Sequence, residues 1–208
     1  MGELAALATA FFWTLTSVFF TIGGREVGSV MVNRLRLLLA VLFLAVTHLA
    51  VQGTLWPVAA GPERWFWLGL SGIIGLAVGD AFLFQGYVMV GPRLSMLMMA
   101  LVPVISTLLA WVFLAETLSL LEIGAVALTV GGIVWVVLER RNGATPAEGR
   151  HYTLGILAGF GGAVGQAVGL IAAKQGLAGD FPVLSGVLIR MIVAMATVWA
   201  LAALRGRV

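Results

Sequence analysis

The sequence predicts an all-α polytopic membrane protein with seven transmembrane helices. Three observations predict it. Only 10% of the residues are charged, where a soluble domain carries roughly 25%. Hydrophobic residues make up 61% of the chain, and the mean hydropathy is +1.09. The apolar residues fall into seven runs, 3–22, 30–51, 65–90, 94–115, 120–138, 153–173 and 182–204. Each is close to the length of about 20 residues that a helix needs to cross a bilayer.

The first run is not a cleavable signal, because it lacks a basic leader and its apolar stretch is too long. None of the runs alternates over about ten residues as a barrel strand would. Between the second and third runs, Trp56, Trp65 and Trp67 cluster around Pro57 and Pro62, an aromatic belt where a loop meets the headgroups. The third and fourth runs join through "VGPRLS", where Gly91 can end one helix and Pro92 suits the first turn of the next. Pro103 removes an amide donor inside the fourth helix and should kink it. The fifth opens at "AETLSLLE", in which Ser119 and Glu122 form a capping box. The polar stretch "ERRNGATPAEGRHYT", 139–153, separates five helices from two. The sixth run holds Gly155, Gly159, Gly161, Gly162, Gly165 and Gly169, and residues 161, 165 and 169 form a four-residue ladder. Such a ladder points to close helix packing, and a seam of that kind can also slide.

Several function classes drop out. There is no cysteine, hence no disulfide framework, thiol nucleophile or cysteine metal site. The net charge of +3 comes from basic residues scattered between apolar runs, so no nucleic-acid patch is expected. "GLSG", 69–72, resembles the Gly-x-Ser-Gly of intramembrane serine proteases, but such a serine needs a facing histidine. His48 ends the second run and His151 sits in the polar stretch, and neither has the sequence context of that base. No carboxylate pair or histidine cluster suggests a hydrolytic or metal centre. No catalytic residue, metal or cofactor is expected.

The candidate binding residues are polar groups inside apolar runs. Asp80 lies near the middle of the third run, where a charged carboxylate costs on the order of 3 kcal/mol and usually faces a cavity or a partner. It shares a helical face with Phe84 and Tyr87, with Gln85 offset from that face. Gly75 and Gly79 make a GxxxG ridge beside it. Asp80 is therefore either a substrate- or proton-binding carboxylate or one half of a structural pair with Arg34, Arg36 or a serine. Arg34 and Arg36, in the first turns of the second helix, either snorkel to the headgroups or meet substrate. Arg190 lies deeper in its helix, and Gln166 is a polar residue within the glycine-rich sixth helix. Asp80, Gln85, Tyr87, Trp13 and Gln166, with Arg36 and Arg190, are the expected cavity-lining set. Glu116, at a corner between helices, reads as structural.

"GELAALATAFFWTLTSVFF" can be laid on "GILAGFGGAVGQAVGLIAA" from Gly155, either as an internal repeat or because apolar helices resemble one another by default. Each copy is followed by a short polar loop and an arginine-bearing apolar helix, with Arg34 and Arg36 in one and Arg190 in the other. An odd number of helices per copy would run the copies oppositely through the bilayer, as in many transporters. The segment "LMMALVPVISTLLAWVFLAETLSLLEIGAVALTVGGIVWVVLE", 97–139, then resembles the fourth and fifth helices of the EamA branch of the drug/metabolite transporter superfamily. The matching features are Pro103-Val104, Leu-Ala-Glu-Thr at 114–117, Gly124 and Gly131-Gly132, with Trp13 and Arg36 fitting less specifically.

The resemblance implies ten helices in two inverted five-helix repeats. On that frame residues 1–138 are the first repeat, 139–152 the polar linker, and 153–208 the first two helices of a second, incomplete repeat. A fragment or a short form is the expectation. The implied function is a secondary transporter (a permease or exporter) in the inner, plasma membrane. It would move a small metabolite or amphiphilic compound by alternating access, with the lipid bilayer, a small-molecule substrate and a proton or exchanged solute as partners. The alternative is a non-transporting subunit or inactive fragment that completes its bundle with another chain or as a homo-oligomer. Orientation stays open. Nine basic residues, Arg25, Arg34, Arg36, Arg93, Arg140, Arg141, Arg150, Arg205 and Arg207, lie on the linker side, against Arg64 and Lys174 opposite. The positive-inside rule would make the linker cytoplasmic, whereas the resemblance implies the reverse.

Overall fold

The computed structural model describes residues 2–114, 117–141 and 146–204. Among them the chain is all helical, with seven helices: α1 Gly2–Val27, α2 Ser29–Gln52, α3 62–90, α4 92–114, α5 Leu120–Arg141, α6 Pro146–Gly176 and α7 Val183–Leu204. Six membrane-spanning candidates are long and apolar enough to cross a bilayer. This is a membrane protein.

The breaks fall where the local chemistry demands them. A single residue, Gly28, joins α1 to α2, at φ 91°, and Gly91 separates α3 from α4 at φ 82°. Side chains rarely adopt that left-handed region, so glycine is what permits both sharp joints. Pro92 then opens α4, as its sequence position suggested. The fourth helix departs from a single uninterrupted span. It breaks at Ala100, and a shorter helix, Leu101–Leu114, follows. Pro103 has no amide to offer the carbonyl of Met99, which accounts for the interruption one turn upstream of its ring. The capping box at α5 is formed: the amide of Glu122 donates to Ser119 Oγ at 3.3 Å, and the amide of Ser119 donates to Glu122 Oε2 at 2.7 Å. The polar stretch is more helical than its composition suggested. α5 runs on to Arg141 and α6 begins at Pro146, a residue suited to a first turn. Glu116 lies outside the described residues.

α3 and α6 form the centre of the bundle and are its two most deeply buried spans; α5 is the least buried. Their contact is built on glycine. A Cβ on Gly165 would sit 2.7 Å from Gly79 Cα, and one on Gly169 would sit 2.9 Å from Gly75 Cα. The GxxxG ridge of α3 therefore meshes with the glycine ladder of α6, backbone against backbone, while Gly161 faces the ring of Phe82. Ser71 fastens the same seam, donating to the carbonyl of Gly169 at 2.6 Å. Around this axis, Leu37, Leu76, Ala77, Ala194 and Val198 make one apolar cluster among α2, α3 and α7. Leu83, Phe84, Tyr87, Met99 and Ala163 make another, covered by Phe20 of α1.

One feature was not foreseen. Residues Gly72–Gly79 of α3 are π-helical, ending at Asp80. Single-turn π segments recur at functional sites, and they rotate everything downstream relative to a regular helix.

The seam gives a direct expectation. Gly165→Ala places a methyl group against backbone and should destabilise the protein by about 1–3 kcal/mol. Gly131→Ala, where a Cβ meets nothing within 4 Å, should be neutral or stabilising by up to about 1 kcal/mol. Unfolding midpoints in lipid nanodiscs check both, and equal losses at the two positions would contradict the seam.

Candidate functional site

Asp80 is almost fully buried, with 4% of its side chain exposed. The α3–α6 seam explains its first partner. Gly79 and Gly165 touch, so the residues that follow them, Asp80 and Gln166, are neighbours. Gln166 Nε2 donates to Asp80 Oδ1 at 2.8 Å. The second partner comes from α2, where Arg36 Nη2 donates to Asp80 Oδ2 in an ion pair. Asn33, one turn before Arg36, steadies the guanidinium by accepting from Nη2 at 3.2 Å. The guanidinium lies 5.3 Å from the ring centroid of Phe84, a cation–π placement. Phe84 in turn stacks on Tyr87 at 5.7 Å and meets Phe20 at 5.0 Å. Tyr87 is 1% exposed, and its hydroxyl donates to Met96 Sδ at 3.1 Å.

Arg190 approaches from α7. A Cβ on Gly75 would lie 3.7 Å from both Arg190 Nη2 and Gln166 Oε1. The Arg190 charge also acts through space on Asp80. Its backbone is pressed onto α3, because the Cβ that Gly72 lacks would collide with the Arg190 carbonyl.

Of the residues expected to line a cavity, the structure thus brings together Asp80, Arg36, Gln166, Tyr87 and Arg190. It does not bring Gln85 or Trp13 to that cluster. Gln85 is exposed, and its Oε1 accepts from Ser29 Oγ at 2.8 Å. It lines a separate cavity of about 360 Å³ with Ser29, Asn33, Arg34, Ala77 and Phe82. Its face of α3 turns away from Asp80. Trp13 is 45% exposed on α1, two turns from Phe20, and no ring contact ties it to the cluster. Asn33 and Phe84 are the two groups that the expected set left out. Asn33 touches both the ion pair and the cavity beside Gln85. Its spacing of three from Arg36 was the available signal.

The protease-like serine has a different use. Ser71 Oγ is spent on the α6 carbonyl, and His48 is engaged elsewhere. His48 Nδ1 lies 2.6 Å from the Thr54 carbonyl, and its Nε2 lies 2.9 Å from Ser185 Oγ. Both groups join helices. Among the described residues no group of three metal-ligating side chains occurs.

The arrangement can hold a charged or strongly polar group inside the bilayer. The carboxylate satisfies two helices at once, so breaking one bond frees a partner.

A double-mutant cycle measures that coupling. Asp80→Asn and Arg36→Gln should each cost about 3 kcal/mol, since each strands a buried charge. The double variant should recover about 1–3 kcal/mol of the summed loss. Additive losses in nanodisc unfolding would mean that the pair is not coupled.

The sequence model of the EamA-like transporter family matches residues 1–138. No curated protein matches the chain.

Proposed function

The chain belongs to the EamA-like transporter family, and from that premise we propose that it is a secondary transporter. It moves a small metabolite or amphiphilic compound across the plasma (inner) membrane by alternating access. The observation that carries the reading is the buried carboxylate of Asp80, inside a membrane-spanning helix and held from two other helices by Arg36 and Gln166. Ionisable residues in such positions are costly and mark substrate or ion pathways. Asp80, Gln166, Arg36, Arg190 and Tyr87 form the binding cluster. Gln85 lines the adjoining cavity that Asn33 connects to it. Trp13, exposed on α1, is a peripheral candidate. A proton or an exchanged solute supplies the coupling.

The fold offers a route for the movement. The glycine seam between α3 and α6 brings backbone against backbone at Gly75–Gly169 and Gly79–Gly165, and a seam of small residues lets helices shift against each other while the Ser71 and Gln166 hydrogen bonds exchange. Such a shift changes the Asp80–Gln166 contact directly, because both residues are the immediate neighbours of the touching glycines. Family membership favours a carrier over a non-transporting subunit.

The test is counterflow in proteoliposomes with a panel of labelled amino acids, carboxylic acids, sugars and nucleosides. At least one solute should accumulate above protein-free vesicles. Gln166→Leu, inserted to the same level, should lower that rate roughly tenfold, a loss of about 1.4 kcal/mol in transition-state stabilisation. A panel with no solute above background would overturn the transport reading.

A further inference from the structure

The polar cluster carries more positive charge than its own carboxylate neutralises. Arg36 and Asp80 pair with each other. Both oxygens of Asp80 are then occupied, Oδ2 by Arg36 and Oδ1 by Gln166. Arg190 is left over. Among the described residues its guanidinium makes no hydrogen bond or ion pair, and its Nε is buried without a partner. Its electrical link to Asp80 acts through space only.

Arg190 is not a snorkelling arginine. It lies two turns inside α7 from Val183, roughly 10 Å along the axis. Its backbone is clamped on Gly72, and its Nη2 reaches Gly75, directed at α3 rather than at the headgroups. Gln166 Oε1 converges on the same spot from α6. The side chain is only partly buried. A cation in a membrane interior calls for an anion, and one without it is costly to keep.

We infer that Arg190 is the anion-binding residue of this site and that the substrate carries a carboxylate or a similar planar oxyanion. The inference rests on the transport reading for the word substrate, and on the geometry for the anion. The guanidinium presents a flat fork of donors that matches a carboxylate through two parallel hydrogen bonds. Arg36 keeps Asp80, so the native ion pair need not open for the anion to bind. Gln166 Oε1, an acceptor beside Arg190, would take a hydrogen bond from a donor on the same solute.

Thermal unfolding of the full chain in phosphatidylcholine nanodiscs tests this with benzoate as the probe. The zwitterionic lipid removes anionic headgroups as an alternative source of the anion. Millimolar benzoate should raise the wild-type midpoint by about 3 °C, and tetraethylammonium at equal ionic strength should not. In Arg190→Gln the benzoate shift should vanish, while the ligand-free midpoint stays at or above the wild-type value because an unpaired charge is gone. Arg190→Lys keeps the charge without the fork, and should retain a smaller shift. No benzoate shift in the wild type overturns the inference, and so does a shift that survives in Arg190→Gln. An Arg190→Gln midpoint below the wild type, with no benzoate shift in either protein, would make Arg190 a structural counter-ion of Asp80. The readout is binding. Absent counterflow with an intact benzoate shift would therefore sink the transport reading and leave the anion site standing.

Discussion

The direct contact between the backbones of α3 and α6 is the constraint on which the rest depends. Gly79 against Gly165 and Gly75 against Gly169 bring the two helix axes closer than any side chain would allow. In a bilayer the lipid is as apolar as leucine, so helices gain little from burying greasy surface and associate through close packing and interhelical hydrogen bonds. The seam supplies the first. Ser71 to the Gly169 carbonyl, and Gln166 to Asp80, supply the second. The glycines bring the Gly169 carbonyl within reach of the short Ser71 side chain and set Gln166 beside Asp80.

The same contact turns a costly residue into a tolerated one. Asp80 would be expensive in lipid, yet its surroundings are built by neighbours that packing already fixes. Gln166 follows Gly165, Arg36 follows Asn33 by one turn of α2, and Phe84 follows Asp80 by one turn of α3. The ring of Phe84, itself packed between Phe20 and Tyr87, lies against the guanidinium of Arg36. Fold and site are therefore not separable: a change in the seam is felt at the carboxylate without any long pathway between them.

Much of this was legible in the sequence, for reasons specific to the residues. Gly91-Pro92 and Ser119-Glu122 are local signals, and each sets its own backbone. The ladder 161, 165, 169 and the pair 75, 79 have the four-residue period that makes a face, so their role in packing could be read, although not which ridge meets which. Asp80 had to have a partner, and Arg36 was one of a short set of candidates. Gln85 lines a neighbouring cavity and Trp13 lies apart on α1, because a helical wheel gives angles along one helix but not what covers each face. The π-helical run Gly72–Gly79 shifts Asp80 and the residues after it relative to Gly72 and Gly75. No periodicity assuming 3.6 residues per turn contains that shift. Arg190 faces Asp80 from a helix more than one hundred residues later, a proximity that only the tertiary fold provides.

The π-helical turn and the glycine seam occupy the same stretch of α3, and that coincidence has a physical consequence. Glycines weaken a helix, and a π segment replaces regular bonds with longer-range ones, so residues 72–79 are the least self-sufficient part of the helix. They are held in shape by α6 and by the backbone of Arg190 instead. Any solute that pulls on Arg190 thus pulls on the segment whose conformation sets the angle of Asp80. A binding event on α7 would reach the ion pair on α2 and α3 through this stretch, whose shape rests on its neighbours. In a rigid α-helix with bulky residues at 72, 75 and 79, the same event would stop at the first packed side chain. The glycine-rich, π-helical stretch therefore lies in space between Arg190 and Asp80, and couples the two through backbone.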